Sequence, residues 1–480
     1  MSSDRRYARL VLAGFCFGLA LLPQTQAKAQ QKAHPTQRDA ATPAKPPLTT
    51  EEPETALLEL PPDGAEVPGT PDEIQVAAEA PGTHRPFDLT FKYMSGDWGG
   101  ARSELEDLGI KFRIRLMNQL MVNMHGGKEV KNGHDTAGSY DFNVYLDMKK
   151  LLGINGATFW IRGKGTWGGD DSDFDKEKIG GLFKTNQDAG SEEPIFIDKW
   201  HWQQFLFDKK LEIRLGRQEP VKDLFDTSKI IGHEDKYFLN RALVRNATIP
   251  PDKGLGVFAR WSFTKHAYVS AAALDADARS RQTNFNTAFH DEDGFRFFAE
   301  LGYKPEFDSP KGPLWGHYRI GTWYDPTRKK KFRNTFEGLR AERFESGDWG
   351  FFIGFDQMIW KENEDPEDKQ GIAIAGRYGH ANGEVNKIED FWAIAAQYEG
   401  LIPGRNEDVL GFGVAQGILS EEYRRVQKGA DRETVYELYY AIKVAPWLII
   451  SPDFQFISNA GGNEDDNDAF VVGVRIRMSL

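Results

Sequence analysis

The residues that could do chemistry in this chain are charges set two positions apart. Arg113 and Arg115, Arg162 and Lys164, Glu212 and Arg214, and Arg475 and Arg477 alternate with apolar neighbours, and Asp141, Arg260, Glu300 and Arg377 fall into similar runs. A strand sends alternate side chains to opposite faces, so each charge lies opposite a greasy row. Such groups bind and release a polar solute by hydrogen bonding. Bond-breaking chemistry is poorly supplied. The single cysteine, Cys16, lies near the amino terminus, which leaves the rest of the chain without a thiol for disulfides, metals or nucleophilic attack. No Ser nucleophile elbow or Ser–His–Asp set is legible. Glu362, Glu364 and Asp365 fall in a loop-like run, and no spacing defines the paired carboxylates of a glycosidase. Asp171, Asp173 and Asp175 begin like a calcium loop but lack Gly at the sixth position and Glu at the twelfth, so they read as solvated loop, as does Asn463 to Asp468. His201, His233 and His266 have no metal-ligand spacing and read as wall or loop residues. No metal or other cofactor is expected.

The elements that must position these charges are strands. In the last of them Phe470, Val472, Val474, Ile476, Met478 and Leu480 form one apolar row, with Gly473, Arg475 and Arg477 on the other face. The same period of two runs through Phe112, Ile114 and Leu116, through Phe142, Val144 and Leu146, and through Phe159 and Ile161 around Trp160. It continues in Leu211 to Leu215, Leu255 to Phe263, Phe295 to Leu301, Ile372 to Tyr378, Tyr436 to Val444 and Leu448 to Phe456. Gly-, Asp- and Asn-rich runs such as 168–175, 361–370 and 461–468 punctuate them as turns and loops. Many strands with greasy outer rows and no apolar helix predict an all-β fold, a single transmembrane antiparallel β-barrel. At about 10 residues per spanning strand, the ordered part suits about 16 strands and an aqueous channel.

The chain has 480 residues and a net charge of −12, which argues against nucleic acid as a partner. Arg5, Arg6 and Arg9 before the apolar run Leu10 to Leu22, with Ala27-Lys28-Ala29 after it, predict a signal peptide over 1–29. Residues 30–86 are rich in Pro, Ala, Thr, Gln and Glu and predict a disordered periplasmic leader. Residues 87–480 then form the barrel domain. A short N-terminal helix, capped by Asp97 and stopped by Gly109, precedes the first strand.

The run Ser95-Gly96-Asp97-Trp98-Gly99-Gly100-Ala101-Arg102, followed by Leu105, Gly109 and Ile110, resembles the opening of the carbohydrate-selective porins of the OprB type. The likeness continues at Leu215-Gly216-Arg217-Gln218, Gly254 to Val257, Tyr436 to Tyr440, Pro446-Trp447, Pro452 to Ile457 and Asn459-Ala460-Gly461-Gly462. It spans about Phe91 to Leu480 and implies a sixteen-stranded outer-membrane barrel of a Gram-negative bacterium, through which small sugars diffuse. Two features depart from the family: Leu480 stands where outer-membrane barrels usually end in an aromatic residue, and the Pro-rich leader lies outside the family core.

For such a channel, charged and amide groups would replace the water lost by sugar hydroxyls, while an aromatic face slides along the ring, all weakly enough for release. Alternation places Arg113, Arg115, Asp141, Arg162, Glu212, Arg214, Arg260 and Arg377 on the lumen face as constriction candidates, with Trp160 as the aromatic one and Trp261 and Trp447 as girdle residues. The competing role for each charge is a cross-lumen ion pair that stiffens the wall. The lumen candidates are mostly basic although the chain is acidic. Alternatives are an anion-selective or general diffusion porin, an outer-membrane barrel hydrolase, and a soluble periplasmic β-sandwich that would leave its last strand as a greasy edge. Expected partners are permeating sugars, outer-membrane lipid and the barrel-assembly machinery acting on the last strand; monomer and homotrimer both stay open.

Overall fold

A computed structural model of the chain describes residues 90–480 except 169–172, 188–192, 233–236, 279–293, 333–343, 366–367, 428–430 and 463–466. The expected signal peptide and leader, Cys16, Asp171 and His233 lie outside the described residues. Among the described residues no helix is long and apolar enough to cross a membrane.

The alternating runs become β1 (Ile110–Gly127), β2 (His134–Asp147), β3 (Ala157–Gly168), β4 (Glu193–Leu206), β5 (Leu211–Gln218), β6 (Gly254–Ser262), β7 (Ala267–Asp275) and β8 (Phe295–Tyr303). After the two-residue β9 (Glu306–Phe307) come β10 (Leu314–Lys330), β11 (Phe344–Lys361), β12 (Gly371–Ala381) and β13 (Ile388–Glu399). The sheet is completed by β14 (Val409–Leu419), β15 (Arg432–Ala445), β16 (Leu448–Ser458) and β17 (Asn467–Ser479). Each pairs antiparallel with its neighbour, β8 pairs with β10, and β1 pairs with both β2 and β17. Sixteen strands therefore close on themselves, with β9 added beside the start of β10. Closure leaves no edge, the condition for a sheet in lipid. Strands of 17 or 18 residues, such as β1, β10 and β11, exceed the roughly 10 needed to cross and continue beyond the membrane.

Before β1, a 3-10 turn at Trp98–Gly100 leads into α1 (Ala101–Asp107), whose N-cap is Gly100 rather than the expected Asp97; Asp97 Oδ1 still reaches into the first turn, where it accepts the Ser103 N–H at 3.0 Å. Arg102 stacks between Tyr93 and Trp98, at 3.9 and 4.4 Å from their ring centroids, which explains the spacing of the opening motif. Gly109 turns the chain at φ +94°, where a Cβ would lie 2.8 Å from the Lys150 Cβ. Met94 N–H meets the Ser479 carbonyl at 2.9 Å, which ties the start of the described chain to the end of β17.

The outer face carries the greasy rows: Leu215, Leu301, Ile320 and Ile394 are each more than half exposed. That band is the surface a bilayer covers. Trp261 sits on it as expected, edge to face with Phe207 at 6.0 Å. Trp447 does not. It is buried at the β15–β16 turn, because the chain folds back there and Ser479 N–H reaches its carbonyl at 2.8 Å.

Inside, the two sides of the ring differ. β12 to β15 turn small residues inward, including Ala375, Ala393, Ala395, Gly411, Gly413, Ala415 and Ala441. That space is filled by inward segments, 173–187 from the β3–β4 connection and, of the 219–253 segment of the β5–β6 connection, the described residues 219–232 and 237–253. Phe174, Ile179, Phe183, Phe238, Leu239 and Leu243 pack there against Phe391, Val435, Tyr439 and Ile457 in one dry cluster. Burying each large side chain stabilises by roughly 2 kcal/mol. Leu224, Phe225 and Ile249 make a second cluster against Phe258, Phe298, Trp323 and Phe352. A wholly wet interior, which alternation alone implies, thus needs correcting: hydrophobic burial of the two segments dries the β12–β17 side.

Candidate functional site

Strand register sets the chemistry of the other side. Arg113, Asn143, Arg162 and Lys199 are successive cross-strand partners over β1 to β4 and form one row. Arg115, Asp141 and Lys164 form the next over β1 to β3. Tyr145, Trp160 and His201 form a third on β2 to β4, on the opposite side of the first row. Rows two residues apart lie roughly 7 Å from each other along the strands. Two polar rows and one aromatic row thus lie side by side and together span about 14 Å along the strands.

The aromatic row is ordered by its own contacts. Tyr145 and Trp160 stack with centroids 6.2 Å apart and planes 14° apart, and Trp160 meets His201 edge-on at 5.0 Å. Trp160 Nε1 donates to Asn143 Oδ1 at 3.2 Å. Arg113 stands over Tyr145 at 5.6 Å, and Lys199 lies 5.9 Å from the centre of the Trp160 ring.

The charged rows are cross-linked. Arg115 bonds Asp141, and Arg162 and Lys253 both bond Asp198. Arg162 and Lys199 are like charges facing each other across two strands, an unfavourable pairing that needs nearby anions. A β-bulge supplies one. The β3–β4 register slips between Arg162 and Gly163, so adjacent Asp198 and Lys199 both end up buried inside. The inward segment supplies the others: Lys199 Nζ donates to Glu219 at 3.0 Å and bonds Asp223, while Arg245 donates to Glu219 at 2.9 Å and Lys222 lies 3.8 Å away. Burial alone would raise the Glu219 carboxyl pKa, but the combined field of Lys222, Lys199, Arg245 and Lys253 holds it well below the usual carboxylate range. Further round, Glu212 accepts from Arg214 Nε at 2.6 Å and Gln203 Nε2 at 2.7 Å, with Arg260 at 3.5 Å.

Of the residues anticipated from alternation, Arg113, Arg115, Asp141, Trp160 and Arg162 share one contiguous patch on β1 to β3. Glu212, Arg214 and Arg260 form a neighbouring group on β5 and β6. Arg377 lies elsewhere. Its NH2 donates to the Ile231 carbonyl at 2.7 Å and its NH1 lies 3.4 Å from Asp226, which also binds Arg319. It anchors the inward segment 219–253, and so does Arg475 through the Tyr237 carbonyl at 2.6 Å. Wall carboxylates do the same from β15: Glu437 accepts the Leu239 and Asn240 N–H groups, and Glu433 those of Leu182 and Phe183. Asp175, once a calcium-loop candidate, accepts both hydrogen bonds of Thr185. His266 sits in the β6–β7 turn with Nδ1 2.8 Å from the Lys304 carbonyl.

The residues missed from sequence are Asp198, Lys199, Glu219, Lys222, Asp223, Arg245 and Lys253. The first two break the period at the bulge, and the rest lie in an irregular segment where no period exists. The length of that segment between two clear strands was the one available signal.

The sequence profile of the carbohydrate-selective porins of the OprB family matches residues 131–480. The chain belongs to that family. Porin B of Pseudomonas aeruginosa is 21% identical over 425 residues, 82% of this chain and 92% of that one. A putative porin of Acinetobacter baylyi, QuiX, is 22% identical over 433 residues, 81% and 93% respectively. A structure of Pseudomonas putida OprB determined at high pH superposes with a TM-score of 0.72 at 20% identity, covering 82% of this chain and all of the other. The porin is accordingly an outer-membrane sugar channel of a Gram-negative bacterium, in a family and fold of channels rather than enzymes.

Proposed function

We propose that the porin passes small sugars by passive diffusion along the inner faces of β1 to β6, with the 219–253 segment as the opposite wall of a charged constriction. The observation that carries this reading is the Tyr145–Trp160–His201 row beside the Arg113–Asn143–Arg162–Lys199 row. The first lays a nearly buried aromatic wall beside the second, which carries donors and an amide for the hydroxyls of a sugar. Several modest contacts of this kind select a solute without holding it. The reaction is transport alone, with no covalent step and no cofactor.

In the same reading residues 1–29 are the export signal, 30–86 a periplasmic leader and 87–480 the barrel domain. The last strand presents itself to the assembly machinery, and the lipid-facing band leaves either a monomer or a homotrimer open.

Single-channel recording in planar bilayers tests the reading. Saturable block of the current by glucose, without equal block by phosphate, is the expected result. Open channels indifferent to glucose would overturn it.

A further inference from the structure

We propose that the outer wall of β8 and β10 to β13 docks one outer-leaflet glycolipid, with an acyl chain in an apolar groove and the sugar headgroup on a polar cluster at its upper end. The groove, about 560 Å³, follows two rows of outward side chains. Tyr303, Tyr318, Phe355, Gly376 and Ile394 are successive cross-strand partners and form the lower row. Leu301, Ile320, Ile353, Tyr378 and Trp392 form the upper one. Barrel strands tilt by about 35–45°, so rows that cross them climb through the membrane. Tyr303 ends β8 at the side of the short turns, whereas Trp392 lies near the start of β13, at the side of the long connections such as 219–253. Short turns face the periplasm and long loops the exterior. The groove therefore rises towards the outer leaflet.

A third row continues above it through Phe351, His380 and Asp390. Tyr378 joins the groove to this cluster: its hydroxyl donates to Asp390 Oδ1 at 2.5 Å, and His380 Nδ1 lies 2.9 Å from the same oxygen. Asp390 Oδ2 and His380 Nε2 have no protein partner among the described residues. Trp349 and Phe351 flank His380 with ring centroids 5.7 and 5.5 Å away, and Trp349 is nearly half exposed. Alongside, Trp392 Nε1 donates to Gln416 Oε1 at 3.2 Å, and Gln416 Nε2 to Thr434 Oγ1 at 2.7 Å. Aromatic residues at this height anchor a barrel in lipid, but anchoring needs neither a carboxylate nor an amide. A phosphate set against Asp390 would be repelled. A sugar suits the cluster, because its hydroxyl and amide groups can donate to the remaining carboxylate oxygen while its CH face lies on Trp349. The groove is continuous with the lipid-facing band, so a lipid fills it, and the cluster at its upper end selects the headgroup. This placement stands on the outer-membrane location and is independent of the permeant.

The test offers lipid A and phosphatidylethanolamine in equal amounts to the purified, delipidated porin in detergent and reads the retained adducts by native mass spectrometry. One lipid A per barrel should be retained severalfold better than phosphatidylethanolamine. Asp390→Asn should lower lipid A retention severalfold and leave that of phosphatidylethanolamine unchanged, a split that a merely structural contact would not give. Ile394→Trp, which fills the groove, should lower the retention of both lipids. Both positions face away from the conduit, so both variants should keep the single-channel conductance of the unaltered porin, which reports a folded barrel. Equal or better retention of phosphatidylethanolamine by the unaltered porin would overturn the inference. Unchanged lipid A retention in both variants would overturn it too. A porin multimer that Ile394→Trp dissociates would also overturn it, since a second copy would then cover the groove.

Discussion

Asp198 owes its place to a slip of one residue. Without the β3–β4 bulge it would face lipid, and Arg162 would stand against Lys199 with no anion between them. Asp198→Asn should therefore raise anion preference, read as a larger reversal potential under a KCl gradient. Arg115→Ala should act the other way, weakening sugar block and moving selectivity towards cations. It should also lower thermal stability by roughly 3 kcal/mol, since Asp141 stays buried without its partner. Glu219 gives a pH signature. Its pKa is depressed in the folded state, so its stabilisation is complete above the ordinary carboxylate value of about 4.3 and is lost as pH falls through the lowered one. Any conductance change that belongs to Glu219 should come only in acid stronger than the ordinary carboxylate value, and Glu219→Gln should remove that share. At this scale the period of two read the face of Arg113, Arg115, Asp141 and Arg162 correctly from the sequence. It could not read Asp198, because the adjacent Asp198 and Lys199 interrupt the period and only the pairing with β3 shows that the interruption is a bulge.

The 219–253 segment shows what an element adds that residues do not announce. It is irregular, so nothing in its own sequence predicts its path. The complementary record is on the wall, where Gly411, Gly413 and Ala415 leave the space it fills. A row of small inward residues in a wide barrel is the trace of something packed against it, and only knowledge of where the chain returns makes that trace readable. Arg377 illustrates the same limit: alternation sets its face, while its role as an anchor depends on Ile231 and Asp226 arriving from far along the chain. Two outcomes follow for recordings. Glu437→Ala leaves the buried N–H groups of Leu239 and Asn240 without their acceptor, a cost of about 1–3 kcal/mol each, and should give larger, noisier channels. Gly413→Val places a Cβ about 2.8 Å from Leu243, against the single helical turn Arg241–Val244. It should push the segment towards the conduit and reduce conductance.

At the scale of the whole molecule, β17 pairs with β16 on one side and β1 on the other, so one strand carries two complete ladders. Deleting residues 467–480 removes both and exposes two sheet edges. The product should lack the heat-resistant folded band that closed barrels show in detergent gels. The apolar row that marks this strand in the sequence made closure foreseeable, since a greasy last strand in water would be an adhesive edge. The seam also has a meaning in time. The first strand must wait for its second neighbour until the last residues have crossed the inner membrane, because β1 and β17 come from opposite ends of the sheet. Throughout that interval the chain carries an unsatisfied edge in an aqueous compartment, and contacts between distant chain segments form slowly. The yield of functional channels is thus decided by a race between completing the ring and sticking to another chain, a contest of rates that the stability of the finished barrel does not enter.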